Sequence, residues 1–335
     1  MAKKVSLKDI AEKVGVSTAL VSYVMNGLEK EKRVGKEIVE KINQAAKELH
    51  YQPNQIARSL RRGTTNTIGL IVADISNPFF GQLARVIEDE AAKYGYTVVF
   101  GSSDESCIKS ASLMETLVNR QVDGFIITPT DGCADYINSL IQKEIPLVLM
   151  DRFFPELQAN HVVLNNYMAT YSAVNHFLSK GYSNISMIAY NSSLIHMQER
   201  VRGFKDAMKE NELEKEATVK EIRYNQIKYD MEQIIENIVK EQKAHALLFA
   251  TNALSINGLY AIKKYDIKIP EELAIIGFDG HEAFDFFQPP LTYIEQPLEE
   301  MGKESVRILL EQINGSKKTV HVVLKHKLID RASCG

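Results

Sequence analysis

A chain of 335 residues, 45% apolar and 25% charged, is long enough for one small module and a pair of medium-sized lobes. Its charge is uneven: residues 1–62 hold 13 Lys and Arg against 7 Asp and Glu, a net of +6, which leaves −9 for the rest of a chain at −3 overall. Three cysteines without a CxxC spacing argue against a disulfide framework, and no apolar run of about 18 residues offers a membrane anchor.

In chain order, the first predicted helix opens at Leu7, because Ser6 and Asp9 stand in a capping arrangement. Leu7, Ile10, Ala11, Val14, Val16, Leu20, Val21 and Val24 recur at helical spacing, broken only at Gly15, where a tight turn needs positive φ. Two short helices therefore share one small core, with Ala11 at their close crossing and Ser17 capping the second. This is the layout of a helix-turn-helix, whose second helix points its N-terminal residues at base edges in the major groove. Thr18, Ala19, Ser22 and Tyr23 take that place here, and Ser6, Ser17 and Asn26 complete the expected DNA-facing set. A basic headpiece on an acidic body is the electrostatic footprint of a protein that holds DNA by its headpiece.

A third helix is predicted in RVGKEIVEKINQAAKELHY, with Ile38, Ile42, Ala45, Ala46 and Leu49 on one face and Pro53 as its stop. Asn54 can cap one further segment, NQIARSLRR, too short to be a stable helix alone, before the linker Gly63–Thr65. With these features the chain resembles the LacI/GalR family of bacterial transcription repressors, over essentially its full length. The resemblance implies a hinge helix in residues 54–62, ordering on operator DNA and pairing with its dimer mate. Ala57, Arg58, Ser59, Leu60 and Arg61 are the matching residues, with Leu60 as a wedge in the minor groove and Arg61 reaching the groove wall or phosphates. Ala19 and Tyr23 depart from the family pattern, so the operator sequence does not carry over.

The body reads as α/β. TIGLIVA (67–73), TVVFGSS (97–103), GFIITP (124–129) and PLVLMD (146–151) are short apolar runs separated by helical stretches, and HVVLNN, ISMIAY, ALLFAT and LAIIGFD repeat the pattern. Two doubly wound parallel-sheet lobes are expected, periplasmic-binding-protein-like by resemblance. The expected division is a DNA-binding domain 1–53, a hinge and linker 54–65 and an effector domain 66–335. Its N-lobe is placed at about 66–162 plus 292–320, and its C-lobe at about 163–291 plus 321–335. In such sheets ligands sit at the carboxyl ends of the strands, facing the crevice. Asp74, the pair Phe79 and Phe80, Asp151, Asn252 and Asp279 stand at or just after strand ends and form the candidate effector site, where aromatics can stack on a ring and polar groups can bind hydroxyls. The resemblance adds Arg200 in ERVRGF as the family's effector arginine. It also notes Ala253 where relatives carry an acid after Asn252.

No GxGxxG, GxxxxGK[ST] or GxSxG is present, and His176, His196 and His281 lack ligand spacing, so no enzyme, cofactor or metal is expected. A secreted solute-binding protein would use the same two lobes. It is disfavoured by the headpiece and by MAKKVSLKDIAEKVGV, which lacks the apolar core of a signal peptide. The expectation is a cytoplasmic, nucleoid-associated homodimer on pseudo-palindromic operator DNA, since no C-terminal heptad run follows LKHKLIDRASCG. The resemblance ranks a carbohydrate first as effector, a nucleobase second and a protein corepressor third.

Overall fold

The computed structural model describes residues 5–51, 63–240 and 244–335. By its internal contacts the chain divides into two units, Met1–Thr65 and Asn66–Gly335.

In the first unit α1 (Leu7–Val14) opens on a capping box, in which Asp9 N–H donates to the Ser6 hydroxyl and Ser6 N–H to the Asp9 carboxylate at 2.7 Å. Gly15 closes it at φ 75°, a left-handed conformation natural to glycine. α2 (Thr18–Met25) is capped by Ser17, whose hydroxyl accepts from Leu20 N–H at 3.2 Å. α3 (Lys36–Glu48) lays Ile42, Ala45 and Ala46 against Ile10, Ala11, Val21 and Val24. The helix stops before the expected Pro53. His50 turns to φ 50°, and the N–H groups of His50 and Tyr51 reach back to the carbonyls of Lys47 (3.1 Å) and Ala46 (2.9 Å), a Schellman closure sealed by Tyr51 on the small core. The hinge expectation on residues 54–62, with Asn54, Ala57, Arg58, Leu60 and Arg61, lies outside the described residues.

The second unit holds two lobes. The first is built from β1 (Thr67–Val72), α4 (Pro78–Lys93), β2 (Thr97–Ser102), α5 (Cys107–Asn119), β3 (Gly124–Ile127), α6 (Ala134–Gln142), β4 (Leu147–Met150) and β5 (Asn160–Leu164). It is completed late in the chain by α12 (Leu298–Ile313) and β11 (His321–Leu324), giving a parallel sheet of order β11-β5-β4-β3-β1-β2. Side chains alternate across it. Ile68, Leu70 and Val72 face the layer of Leu83, Ile87 and Leu309, whereas Ile71 and Phe125 face that of Leu117 and Ile137. Gly69 lies under a Phe125 ring only 3.0 Å from where a Cβ would stand.

The second lobe comprises α7 (Asn166–Ser179), β6 (Ile185–Tyr190), α8 (Ile195–Glu210), β7 (Ala217–Ile222), α9 (Ile227–Lys240), β8 (Ala246–Phe249), α10 (Asn252–Lys264), β9 (Ala274–Phe278), α11 (Glu282–Phe286), β10 (Thr292–Glu295) and β12 (Lys327–Ile329). Its sheet runs β12-β10-β9-β8-β6-β7, parallel except for β12, over a core that includes Phe177, Phe204, Phe249 and Phe278. The chain crosses between lobes after β5, after β10 and after β11. Two expected assignments are corrected by this pairing. Thr292–Ile294, expected in the N-lobe, pair with Ile276–Phe278 in the second lobe, and His321–Leu324, expected in the C-lobe, pair with His161–Leu164 in the first. Each strand joins the sheet that offers it an unpaired backbone ladder, a long-range fact that a short apolar run does not encode. Among the described residues no helix is long and apolar enough to cross a membrane.

Candidate functional site

The outward face of α2 starts with Thr18 and Ala19, both exposed, followed by the half-buried Ser22 and Tyr23. Asn26 sits at the other end of this helix and donates to the Ser22 carbonyl at 2.6 Å, so it caps the helix as it faces outward. The Ser6 and Ser17 hydroxyls are exposed at the N-termini of α1 and α2. Fixed N-caps and a shared core hold α2 at its angle to α1, the requirement for presenting a recognition helix.

In both sheets the strand order reverses beside the first strand of the lobe, β1 or β6, the topological switch point at which doubly wound sheets bind ligands. At the carboxyl ends of the first lobe, Asp74 follows β1 and accepts from Ser76 N–H (2.9 Å), the Ser76 hydroxyl (2.7 Å) and, across the cleft, the Tyr224 hydroxyl (2.6 Å). Burial and the Asp74 carboxylate push the Tyr224 phenol above its ordinary range. Asp151 follows β4 in a left-handed conformation, φ 66°. Its carboxyl is pushed up by burial, against the opposing pull of Arg152 and Arg200. Arg152 forks onto Glu105 with two bonds of 2.7 Å and touches Asp151 at 3.3 Å.

From the second lobe Arg200, on α8 and 2% exposed, donates to the Asn166 amide oxygen (2.8 Å) and the Ala250 carbonyl (2.6 Å) and stacks 3.8 Å above the Phe278 ring. Asp279, after β9 at φ 60°, accepts from the Gln296 amide at 2.7 Å. Burial raises its carboxyl to about 6, and Arg200 opposes the rise. Asn252 opens α10 and donates to the Asp279 carbonyl at 3.3 Å. Asp151, Asn252 and Asp279 are thus buried at strand ends, Arg200 reaches in from α8, and Asp151 and Asp279 share its field. The Phe79–Phe80 pair is placed differently. Both rings sit in the first lobe's apolar core, edge to face at 4.9 Å, with 6% and 3% of their surface exposed.

Sequence reasoning missed several groups. Glu105, Thr128 and Gln296 follow β2, β3 and β10, so the same strand-end rule would have found them. His196 lacks ligand spacing in the sequence and so drew no role there. It is buried beside Arg152 and Arg200, which with burial hold its imidazole well below the usual range, and its Nδ1 has no hydrogen-bond partner among the described residues. Thr128 Oγ1 and Gln296 Oε1 are buried and unpartnered in the same sense. A cavity of about 320 Å³ opens beside this set, with Asp151, Phe153, Asn166 and His196 in its walls. A second interlobe link joins Asp131 to the hydroxyls of Ser192 (3.2 Å) and Ser193 (2.5 Å).

Residues 6–54 match the family described as bacterial regulatory proteins, lacI family, and residues 174–334 match the periplasmic binding protein-like domain. The chain is 33% identical over 308 residues to the ribose operon repressor of Halalkalibacterium halodurans, covering 92% of this chain and 90% of that one. A LacI family transcriptional regulator from Enterococcus faecium, solved with bound ribose, is 27% identical with a TM-score of 0.71, over 80% of this chain and 98% of that one. The lac repressor dimer bound to operator and the anti-inducer ONPF has the same fold at a TM-score of 0.86 and 23% identity, over 99% of both chains. A capped helix-turn-helix ahead of two doubly wound lobes and a full-length match to a repressor give one conclusion: the chain belongs to the lacI family of bacterial regulatory proteins.

Proposed function

We propose that this chain is a sequence-specific transcriptional repressor, working as a cytoplasmic homodimer, whose operator affinity is set by a sugar held between its lobes. It has no catalytic role in this reading. The observation that carries it is the buried set of Asp151, Asn252 and Asp279 at the strand ends of both lobes with Arg200 from α8, in a chain that opens with a lacI-family headpiece. The ribose named for two of its relatives supports a carbohydrate. A sugar hydroxyl both donates and accepts, so it can donate a hydrogen bond to Asp279 or Asp151 while accepting one from Arg200.

On the DNA side, Thr18, Ala19, Ser22 and Tyr23 read base edges, Ser6, Ser17 and Asn26 fix the helix and meet phosphates, and Asn54, Ala57, Arg58, Leu60 and Arg61 form the hinge, with Leu60 in the minor groove. The Phe79–Phe80 pair supports the wall of the sugar site from the core behind it. Coupling between the two ligands is a free energy of about 1–3 kcal/mol, shared reciprocally. Selection of an operator from random duplexes, followed by anisotropy titration with a sugar panel, tests the proposal. One sugar should shift operator affinity by about 5- to 150-fold, the span of that coupling. A protein that retains no sequence preference among duplexes would refute it.

A further inference from the structure

The charges around the cleft are unequal. Asp74, Glu105, Asp151 and Asp279 face two buried cations, Arg152 and Arg200, among the described residues, and of these Arg152 is held by a carboxylate while Arg200 has neutral hydrogen-bond partners. Arg152 is forked on Glu105, and Arg200 is divided between Asn166, the Ala250 carbonyl and the ring of Phe278. These groups share one region: Glu105 acts on Asp151, Tyr190 and Tyr224, and Arg152 acts on Tyr190, His196 and Arg200. His196 adds no charge, because burial and the nearby Arg152 and Arg200 guanidiniums hold it neutral.

Two of the helix N-termini near the cleft carry side-chain caps, whereas α8, whose Ile195 and His196 line the cavity, carries none. Asn77 caps α4 through Phe79 N–H at 3.1 Å, and Thr251 caps α10 through Leu254 N–H at 3.2 Å. A phosphate ester carries about −1.5 to −2 charge at neutral pH, which the excess of carboxylates around the cleft repels. The unpartnered atoms here, His196 Nδ1, Thr128 Oγ1 and Gln296 Oε1, are neutral and suit hydroxyls instead.

We infer that the cleft is built for an uncharged polyol and rejects the phosphorylated form of the same sugar. The inference rests on the proposed sugar site and narrows its ligand class. Glu105 is the specificity-determining residue in this reading: by holding Arg152 in a closed fork it withholds the buried cation beside Asp151 at the end of β4.

Calorimetric titration of the full chain with matched pairs tests it: ribose and ribose 5-phosphate, glucose and glucose 6-phosphate, fructose and fructose 1-phosphate. The neutral member of at least one pair should bind, with its ester weaker by about a hundredfold or more, equivalent to ~2.7 kcal/mol. An ester that binds as tightly as its neutral partner would overturn the inference and leave the sugar site standing. If no member of any pair binds or alters operator affinity, the sugar site itself falls and the inference with it. Glu105→Gln supplies an independent gain-of-function reading, since freeing Arg152 should raise affinity for the ester at least about tenfold and narrow the preference. An unchanged preference in a folded Glu105→Gln protein counts against Glu105 as the selector, and the comparison on the unaltered chain stands alone if that variant does not fold.

Discussion

At Asp279 burial and charge pull in opposite directions, and burial prevails, raising the carboxyl from its ordinary 3.8 to about 6. The folded protein then holds this proton more tightly than the unfolded chain. The resulting stability is fully present below about pH 3.8 and is lost as pH rises through about 6. A difference of this size corresponds to on the order of 3 kcal/mol. Asp279→Asn keeps an acceptor for Gln296 and removes the titration, so its melting temperature relative to the parent should gain about 5 °C between pH 4 and pH 7; melting curves that run parallel across that range would sink the assignment. Arg200 offers a different test. Lys cannot fork to Asn166 and the Ala250 carbonyl or stack flat on Phe278, so Arg200→Lys should weaken sugar binding at least about tenfold and cost about 1–3 kcal/mol of stability, read by calorimetry and denaturant titration. Asp151, Asn252 and Asp279 were legible because polar residues that end apolar runs stand out. Phe79 and Phe80 occupy the same kind of position, but a helix's first turn carries one face to solvent and another to the core, and sequence does not say which. His196 carried little local signal, since Arg200 stands one turn along the same helix but Arg152 arrives from a distant segment.

Among the elements, the close crossings are the most sensitive. In α10 Gly258 lies under Phe249, where an added Cβ would stand 2.1 Å from the ring. Gly258→Ala should therefore lose about 1–3 kcal/mol to overpacking. Gly81, in α4 with open space where its Cβ would be, provides the contrast: Gly81→Ala should gain about 0.4–1 kcal/mol through the less flexible unfolded chain. Equal denaturation midpoints for the two variants would contradict this reading of the packing. The buried strands β1, β3, β4, β6, β8 and β9 were visible as apolar runs because parallel strands covered on both faces have no polar side to interrupt them. β7, at an edge with only Ile222 buried in ATVKEI, carries too little apolar pattern to be recognised. The headpiece helices were readable in detail because Ser6, Asp9, Gly15 and Ser17 act within a few residues of themselves, whereas the end of α3 was misplaced because a non-glycine residue, His50, made the turn.

At the scale of the whole effector domain, the lobes are tied across the cleft by Asp131 to Ser192 and Ser193 and by Asp74 to Tyr224. Asp131→Ala removes one tie without touching the buried charges at the strand ends. It should favour open lobes, seen as a larger radius of gyration in sugar-free scattering and a sugar affinity several-fold lower; unchanged values for both would mean that the tie holds nothing closed. The two-lobe plan was legible from the repeated strand pattern, and α12 lies in the first lobe as expected, but the return of β11 to that lobe was not legible. That return has a consequence for inheritance and for motion. Each lobe is made from separated stretches of one gene, so a lobe cannot be exchanged between relatives by a single recombination, nor can it finish folding as it leaves the ribosome until α12, β11 and β12 have been synthesised. Three strings of backbone side by side also resist twisting and sliding more than bending, and the freedom left to a ligand is mainly that of a door on its hinge.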